Sequence, residues 1–266
     1  MSASESLQNT PVDYEYDDAA DVARITLSRP DSLNAVTRPL YDGVRAGLDA
    51  AAADDARVVV LQGEGRAFCV GADMKGHDEA ERTPAEKRAY VEAAQETCLA
   101  VQTHPAPVVV KVQGYAIGAG AELALSADCI VMATDAEMRF PEVSIGTYVG
   151  GGVTYTLPER VGRAKARELV LTAATVEGTE AGEMGLATEV VPPAALDEAV
   201  DDLAETLASH APIPMQHAKE QFRREPDRDH LLTAEADALL ACMETDDWQE
   251  GVDAFAEDRE PVFRGE

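Results

Sequence analysis

Three segments of the chain carry side chains able to do chemistry, each inside a glycine-rich turn. GRAFCVGADMKG at 65–76 holds Cys69, Ala72 and Asp73. GYAIGAGAEL at 114–123 places Glu122 just after three glycines. RFPEVSIGTYVGGGVTYTLPERVG at 139–162 sets Glu142 behind Pro141 and ahead of Gly150, Gly151 and Gly152. A glycine-rich turn between a strand and a helix brings backbone N–H groups close to a ligand. Phosphate is the usual occupant, and a carboxylate beside the turn argues against it.

Taken one at a time, these residues have bland readings. Glu122 complements a helix dipole in a first turn, Glu142 is one solvated acid among many, and Cys69 is small packing. A dinucleotide fingerprint needs glycine at 118, 120 and 123, and residue 123 is Leu, so that reading fails. Walker A fails for want of Gly-Lys-Ser/Thr. Cys69 as a nucleophile would want a histidine partner such as His77. The 4 cysteines show no Cys-x-x-Cys pair and the 5 histidines no ligand spacing, so neither a disulfide framework nor a structural metal is expected.

The elements that must position these turns alternate between strand and helix. Val12 to Tyr16 and Val22 to Ser28 flank an acidic turn and predict a hairpin. A helix follows from Thr37, with Leu40, Val44 and Leu48 on one face. RVVVLQG at 57–63 reads as a buried strand, and TPAE at 83–86 as the capped start of a second helix. The run at 107–112, a helix from 119 and DCIVMAT at 128–134 form a further strand–helix–strand unit. Two shorter helices are expected within 151–172 and a last strand in ATEVV at 187–191. Helices dominate from 193, beginning with Leu196, Val200, Leu203 and Leu207. This order predicts an α/β core over 1–192, with a loose leader at 1–11, and an α-helical region over 193–266. Lys111 inside VVVKV is an oddity, because an unpaired buried ammonium is expensive, and it calls for an acid or an interface.

The 266 residues suffice for one large domain. The 50 acidic against 22 basic residues give a formal charge of −28, spread along the whole length. Such a surface repels nucleic acid and anionic lipid, and excludes both as partners. The lysine-poor, acidic make-up is similar to that of salt-in halophile proteins, in which salt screens self-repulsion. No apolar run reaches the roughly 20 residues a spanning helix needs, and the N-terminus lacks a signal pattern, so a cytoplasmic protein is expected.

Five motifs, in order, resemble the enoyl-CoA hydratase/isomerase (crotonase) superfamily: LSRPDSLNAV, AFCVGADMK, GYAIGAGAEL, PEVSIGTYVGGG and EGVDAFAEDREPVF. The resemblance spans nearly the whole chain. It implies a spiral of ββα turns with C-terminal helices that complete the site and an assembly of trimers or dimers of trimers. It implies an acyl-CoA thioester substrate and no separate cofactor, since CoA arrives as part of the substrate.

By the same resemblance, the N–H groups of Ala72 and Ala119 form an oxyanion hole, and Asp73, Met74, Lys75 and Gly150 join them in binding substrate. Glu122 and Glu142 take the two catalytic acid positions of a hydratase. Lys75 matches a CoA-phosphate lysine, whereas Asp31 and Asp258 stand where basic residues are frequent. Arg29 and Arg259 are substitutes there, or else form intramolecular pairs. Hydration of a 2-enoyl-CoA is the leading expectation; isomerisation, hydratase-lyase chemistry and a catalytically silent acyl-CoA-binding scaffold are the alternatives. Tyr148 and Val149, where many hydratases have an apolar residue and proline, suggest a branched or aromatic acyl chain.

Overall fold

The valine-rich runs make the frame. In the computed structural model, which describes residues 7–73, 83–223, 241, 245–257, 259 and 261–265, β1 (Val12–Asp17) and β2 (Val22–Leu27) form the expected hairpin. Helix α1 (Arg38–Ala53) then leads to β3 (Val58–Gly63), and α2 (Pro84–Thr103) leads to β4 (Val108–Val112). The next turns of chain visit two sheets in succession. They run through β5 (Tyr115–Ile117), α3 (Ala119–Leu125), β6 (Cys129–Ala133), β7 (Glu137–Arg139), α4 (Val153–Thr172), β8 (Thr175–Glu177), α5 (Gly178–Glu183) and β9 (Glu189–Val191). Helices α6 (Leu196–Ala208), α7 (Pro212–Phe222) and α8 (Asp246–Glu257) follow.

The larger sheet has the order β1-β2-β3-β4-β6-β9 and the smaller β5-β7-β8. Beyond the hairpin, every pairing in the larger sheet is parallel. Parallel strands are covered on both faces, which is why β3 and β4 read as valine runs without alternation and are buried along most of their length. Leu196, Val200 and Ala204 of α6 are buried, and that helix lies across β3, β4 and β6. The Lys111 ammonium on β4 meets Asp197 of α6 at 2.8 Å, so the charge inside the valine run is paired.

The three strands of the smaller sheet are absent from the sequence expectation. Each is 3 residues long, too short for a period to register. The two helices expected within 151–172 form one element broken at Gly162, whose φ of 75° and ψ of 157° are not helical. Among the described residues, no helix is long and apolar enough to cross a membrane.

Helix α2 starts on a reciprocal cap: the Thr83 N–H donates to Glu86 Oε2 at 2.7 Å, and the Glu86 N–H donates to Thr83 Oγ1 at 3.3 Å. Thr83→Ala removes half of that exchange and is expected to cost about 1 kcal/mol of stability. The midpoint of urea unfolding reads it, with the slope unchanged.

Candidate active site

The segment 68–73 is stitched between two neighbours by backbone hydrogen bonds. The Cys69 N–H donates to Tyr115 O and the Ile117 N–H donates to Cys69 O, both at 2.9 Å, which docks the segment on β5. On its other side the Val36 N–H donates to Gly71 O at 2.7 Å and the Asp73 N–H to Val36 O at 3.0 Å. Extended backbone alternates its polar groups, so the Ala72 N–H points away from Val36. Ala119 is the first residue of α3, and its N–H is one of the donors a helix leaves unsatisfied. No described residue accepts from either amide. The segments are adjacent: a Cβ placed on Gly71 would lie 3.5 Å from the Ala119 nitrogen.

Two carboxylates attend this pair of donors. Glu122 lies in the first turn of α3 and is only 5% exposed. Its Oε1 accepts from the Gly150 N–H at 2.7 Å, and Gly151 lies against the same carboxylate. Glu142 starts the short 3-10 turn Glu142–Ile145 and is 8% exposed. Its Oε2 is buried with no hydrogen-bond partner among the described residues. Its Oε1 leans toward the residue preceding Ala119: a Cβ on Gly118 would stand 2.9 Å from it. Gly118 has φ 52° and ψ −122°, a conformation open to glycine, which explains the glycine just ahead of Ala119. Gly151 is required by close approach, since a Cβ there would sit 2.9 Å from both Glu122 Oε2 and Cys98 Sγ.

Neither acid is the solvated or merely dipole-complementing residue that its own sequence neighbourhood suggests. Burial pushes the Glu122 carboxyl above the usual carboxylate range, opposed by the Gly150 and Gly151 amides and assisted by the charge of Glu142. Burial likewise raises Glu142. Cys69 is fully buried and its thiol is pushed up to about 12 by desolvation, so it is packing and not a nucleophile.

Of the other residues singled out in the sequence, Asp73 pairs with Arg29 at 2.8 Å, and Arg29 also donates to Ala35 O. Arg29 therefore orients the residue next to Ala72. Arg259 pairs with Glu250 and Glu257. Both arginines are in intramolecular pairs. Tyr148 is exposed, while Val149 is buried. Met74, Lys75, His77 and Asp258 lie outside the described residues. No His, Cys, Asp or Glu cluster able to hold a metal occurs among the described residues. Sequence reasoning missed the Arg29–Asp73 pair, 44 residues apart, and the contact of Gln95 with Gly150 O at 3.2 Å. Neither has a local spacing that would flag it.

Two unengaged main-chain donors beside two buried carboxylates suit a carbonyl that gains negative charge while protons move at the neighbouring carbons. The enoyl-CoA hydratase/isomerase family profile matches residues 17–266 of this sequence.

The chain belongs to the enoyl-CoA hydratase/isomerase (crotonase) family.

The 2,3-dehydroadipyl-CoA hydratase of Escherichia coli is 32% identical, over 92% of this chain and 95% of its own length. The short-chain-enoyl-CoA hydratase of Clostridium acetobutylicum is 31% identical, over 90% of this chain and 92% of its own. The crystal structure of an enoyl-CoA hydratase from Bacillus anthracis superposes with a TM-score of 0.91 at 32% identity, covering 97% of this chain and 100% of that one. The crotonase-like fold and acyl-CoA as the class of substrate follow from that membership.

The raised carboxyls make stability depend on pH in a definite direction. A group whose folded pKa exceeds its unfolded value of about 4.3 contributes most below that value, and the contribution is lost as pH rises through the folded pKa. Glu142→Gln removes a buried charge with an orphan oxygen. The variant is expected to unfold at higher temperature than the parent at pH 8, with the advantage shrinking toward pH 5. Thermal melts across that range check it.

Proposed function

We propose that this protein adds water across the 2,3 double bond of a 2-enoyl-CoA thioester, acting as a hydro-lyase. The observation that carries this reading is the pairing of two buried carboxylates, one held by the Gly150 N–H and the other with a buried oxygen that has no hydrogen-bond partner among the described residues. A single acid suffices to shuttle a proton between carbons in an isomerase, whereas splitting water between two carbons uses two groups.

The thioester carbonyl oxygen accepts from the N–H groups of Ala72 and Ala119. Both donors are fixed by the backbone before substrate arrives, so little reorganisation is needed as the enolate forms. Small side chains at both positions leave room for the thioester. Ala119 keeps its φ out of the positive range, so a methyl group is tolerated there.

In the addition, ionised Glu122 removes a proton from water as the water oxygen bonds to Cβ, and the double-bond electrons move toward the carbonyl. Protonated Glu142 then gives its proton to Cα on the same face, and the thioester carbonyl reforms. Glu122 ends protonated and Glu142 ionised, so the pair keeps one proton throughout. Two neighbouring buried acids of this kind titrate as a unit, with one proton retained near neutrality. The upward displacement of both carboxyls supports that state.

The region from 193 is proposed to complete the site and to carry contacts between copies of the chain. The exposed apolar side chains Leu171, Phe222 and Val262 support an assembly.

Purified protein in concentrated salt is expected to remove the conjugated enoyl-thioester absorbance of crotonyl-CoA. Glu122→Gln and Glu142→Gln should each lower kcat by roughly 10²–10⁴-fold; retention of activity in both would overturn the assignment. Proline fits the first position of a helix, so Ala119→Pro should fold yet lose one hole donor and at least about 10²-fold in kcat. Circular dichroism beside the assay separates the two effects.

A further inference from the structure

In the Gly150–Gly152 stretch, Gly150 supplies the N–H that holds Glu122 Oε1 and Gly151 is buried against Glu122 and Cys98, whereas little packs around the two outer glycines. A Cβ on Gly150 or on Gly152 would meet nothing within 4 Å. The neighbouring Ile145 and Tyr148 are 61% and 64% exposed. Loops with few buried contacts sit at the low-stability end of a structure. At Gly150, where a side chain would have open space, something other than packing must keep the N–H aimed at the carboxylate.

One side chain reaches the loop from a rigid element. Gln95 Nε2 on α2 donates to Gly150 O at 3.2 Å. That carbonyl belongs to the same peptide plane as the Gly151 N–H, and Gly151 lies against the other carboxylate oxygen, where a Cβ would stand 2.9 Å from Glu122 Oε2. In a trans peptide the C=O and N–H point in opposite directions, so a donor on the carbonyl fixes the direction of the amide. Helix α2 itself is held against α1: Arg38 donates to Ala89 O, and Arg45 donates to Ala93 O and to Glu96. The chain of contacts runs from α1 through α2 and Gln95 to the Gly150–Gly151 peptide, and from there to Glu122.

We propose that Gln95 is a positioning residue of the active site, whose side-chain amide holds the Gly150–Gly151 peptide so that the Gly150 N–H stays on the Glu122 carboxylate and Gly151 stays against it. The proposal rests on Glu122 acting as the base of hydration. Gln95 touches neither the substrate nor the reacting atoms. The other groups facing Glu122 are Glu142, Cys98 from α2 and Tyr41 from α1. Cys98, pushed up to about 12 by burial, stays a thiol near neutrality, and burial raises Tyr41 as well. Glu142 is then the only other one of these groups that changes charge in the working range. Loosening the amides removes hydrogen bonds to the charged form, so Glu122 holds its proton to higher pH.

The test compares the parent, Gln95→Met and Gln95→Lys. Methionine keeps length and neutrality and cannot donate; lysine restores a donor. With crotonyl-CoA, Gln95→Met is expected to lower kcat about three- to tenfold, the scale of one neutral hydrogen bond. KM should change by less than about twofold, since uniform binding is untouched. The acid limb of the kcat profile should move to higher pH, and Gln95→Lys should return it toward or below the parent position.

A parent-like profile in Gln95→Met overturns the proposal, as does a lower kcat with an unmoved acid limb. A parent that turns over no enoyl-CoA overturns the hydratase reading instead. In that event carbon-13 NMR of the glutamate carboxyls, assigned with Glu122→Gln, still decides the matter: the Glu122 titration shifts upward in Gln95→Met if the proposal holds and stays in place if it does not.

Discussion

The pairing of Cys69 with the strand Tyr115–Ile117 is the constraint on which the site depends. Two backbone hydrogen bonds at that point lay one loop alongside the start of α3. Because Val36 occupies the polar groups of Gly71 and Asp73 on the far edge, the Ala72 N–H is turned toward the side where α3 begins. A helix N-terminus cannot satisfy its own first amide, so Ala119 contributes a second donor. Regular structure thus leaves two main-chain donors side by side without engaging any side chain.

The acids exploit the same geometry. Glu122 comes one helical turn after Ala119, and Glu142 rests beside Gly118, one residue before it. The carboxylates therefore bracket the helix start that carries the Ala119 amide. Their burial is unfavourable for charge, and the main-chain amides of Gly150 and Gly151 offset part of that at Glu122 alone. Among the described residues Glu142 has no donor on its Oε2. The two carboxyls therefore sit in different environments, one oxygen pair met by main-chain groups and the other with a buried oxygen left unmatched by them.

Charge is handled locally in a chain with a net charge of −28. Arg29 serves Asp73, Lys111 serves Asp197, and Lys219 meets Asp128 at 2.6 Å. These cations are engaged at defined acids, and Arg259 is likewise tied to Glu250 and Glu257.

The sequence by itself determined the α/β order, the buried valine strands, the Thr83 cap and the identity of the motif residues, because each is written in local spacing or in five ordered motifs. Tertiary structure alone decided three things. The smaller sheet, built from strands of 3 residues, exists only through pairing between distant segments. Burial of Glu122, read alone as a dipole-complementing acid, and of Glu142, read alone as a solvated one, follows from what folds over them. The placement of Gln95 on Gly150 and of Arg29 on Asp73 joins residues 55 and 44 positions apart, and contact at that range leaves no period in one chain to read.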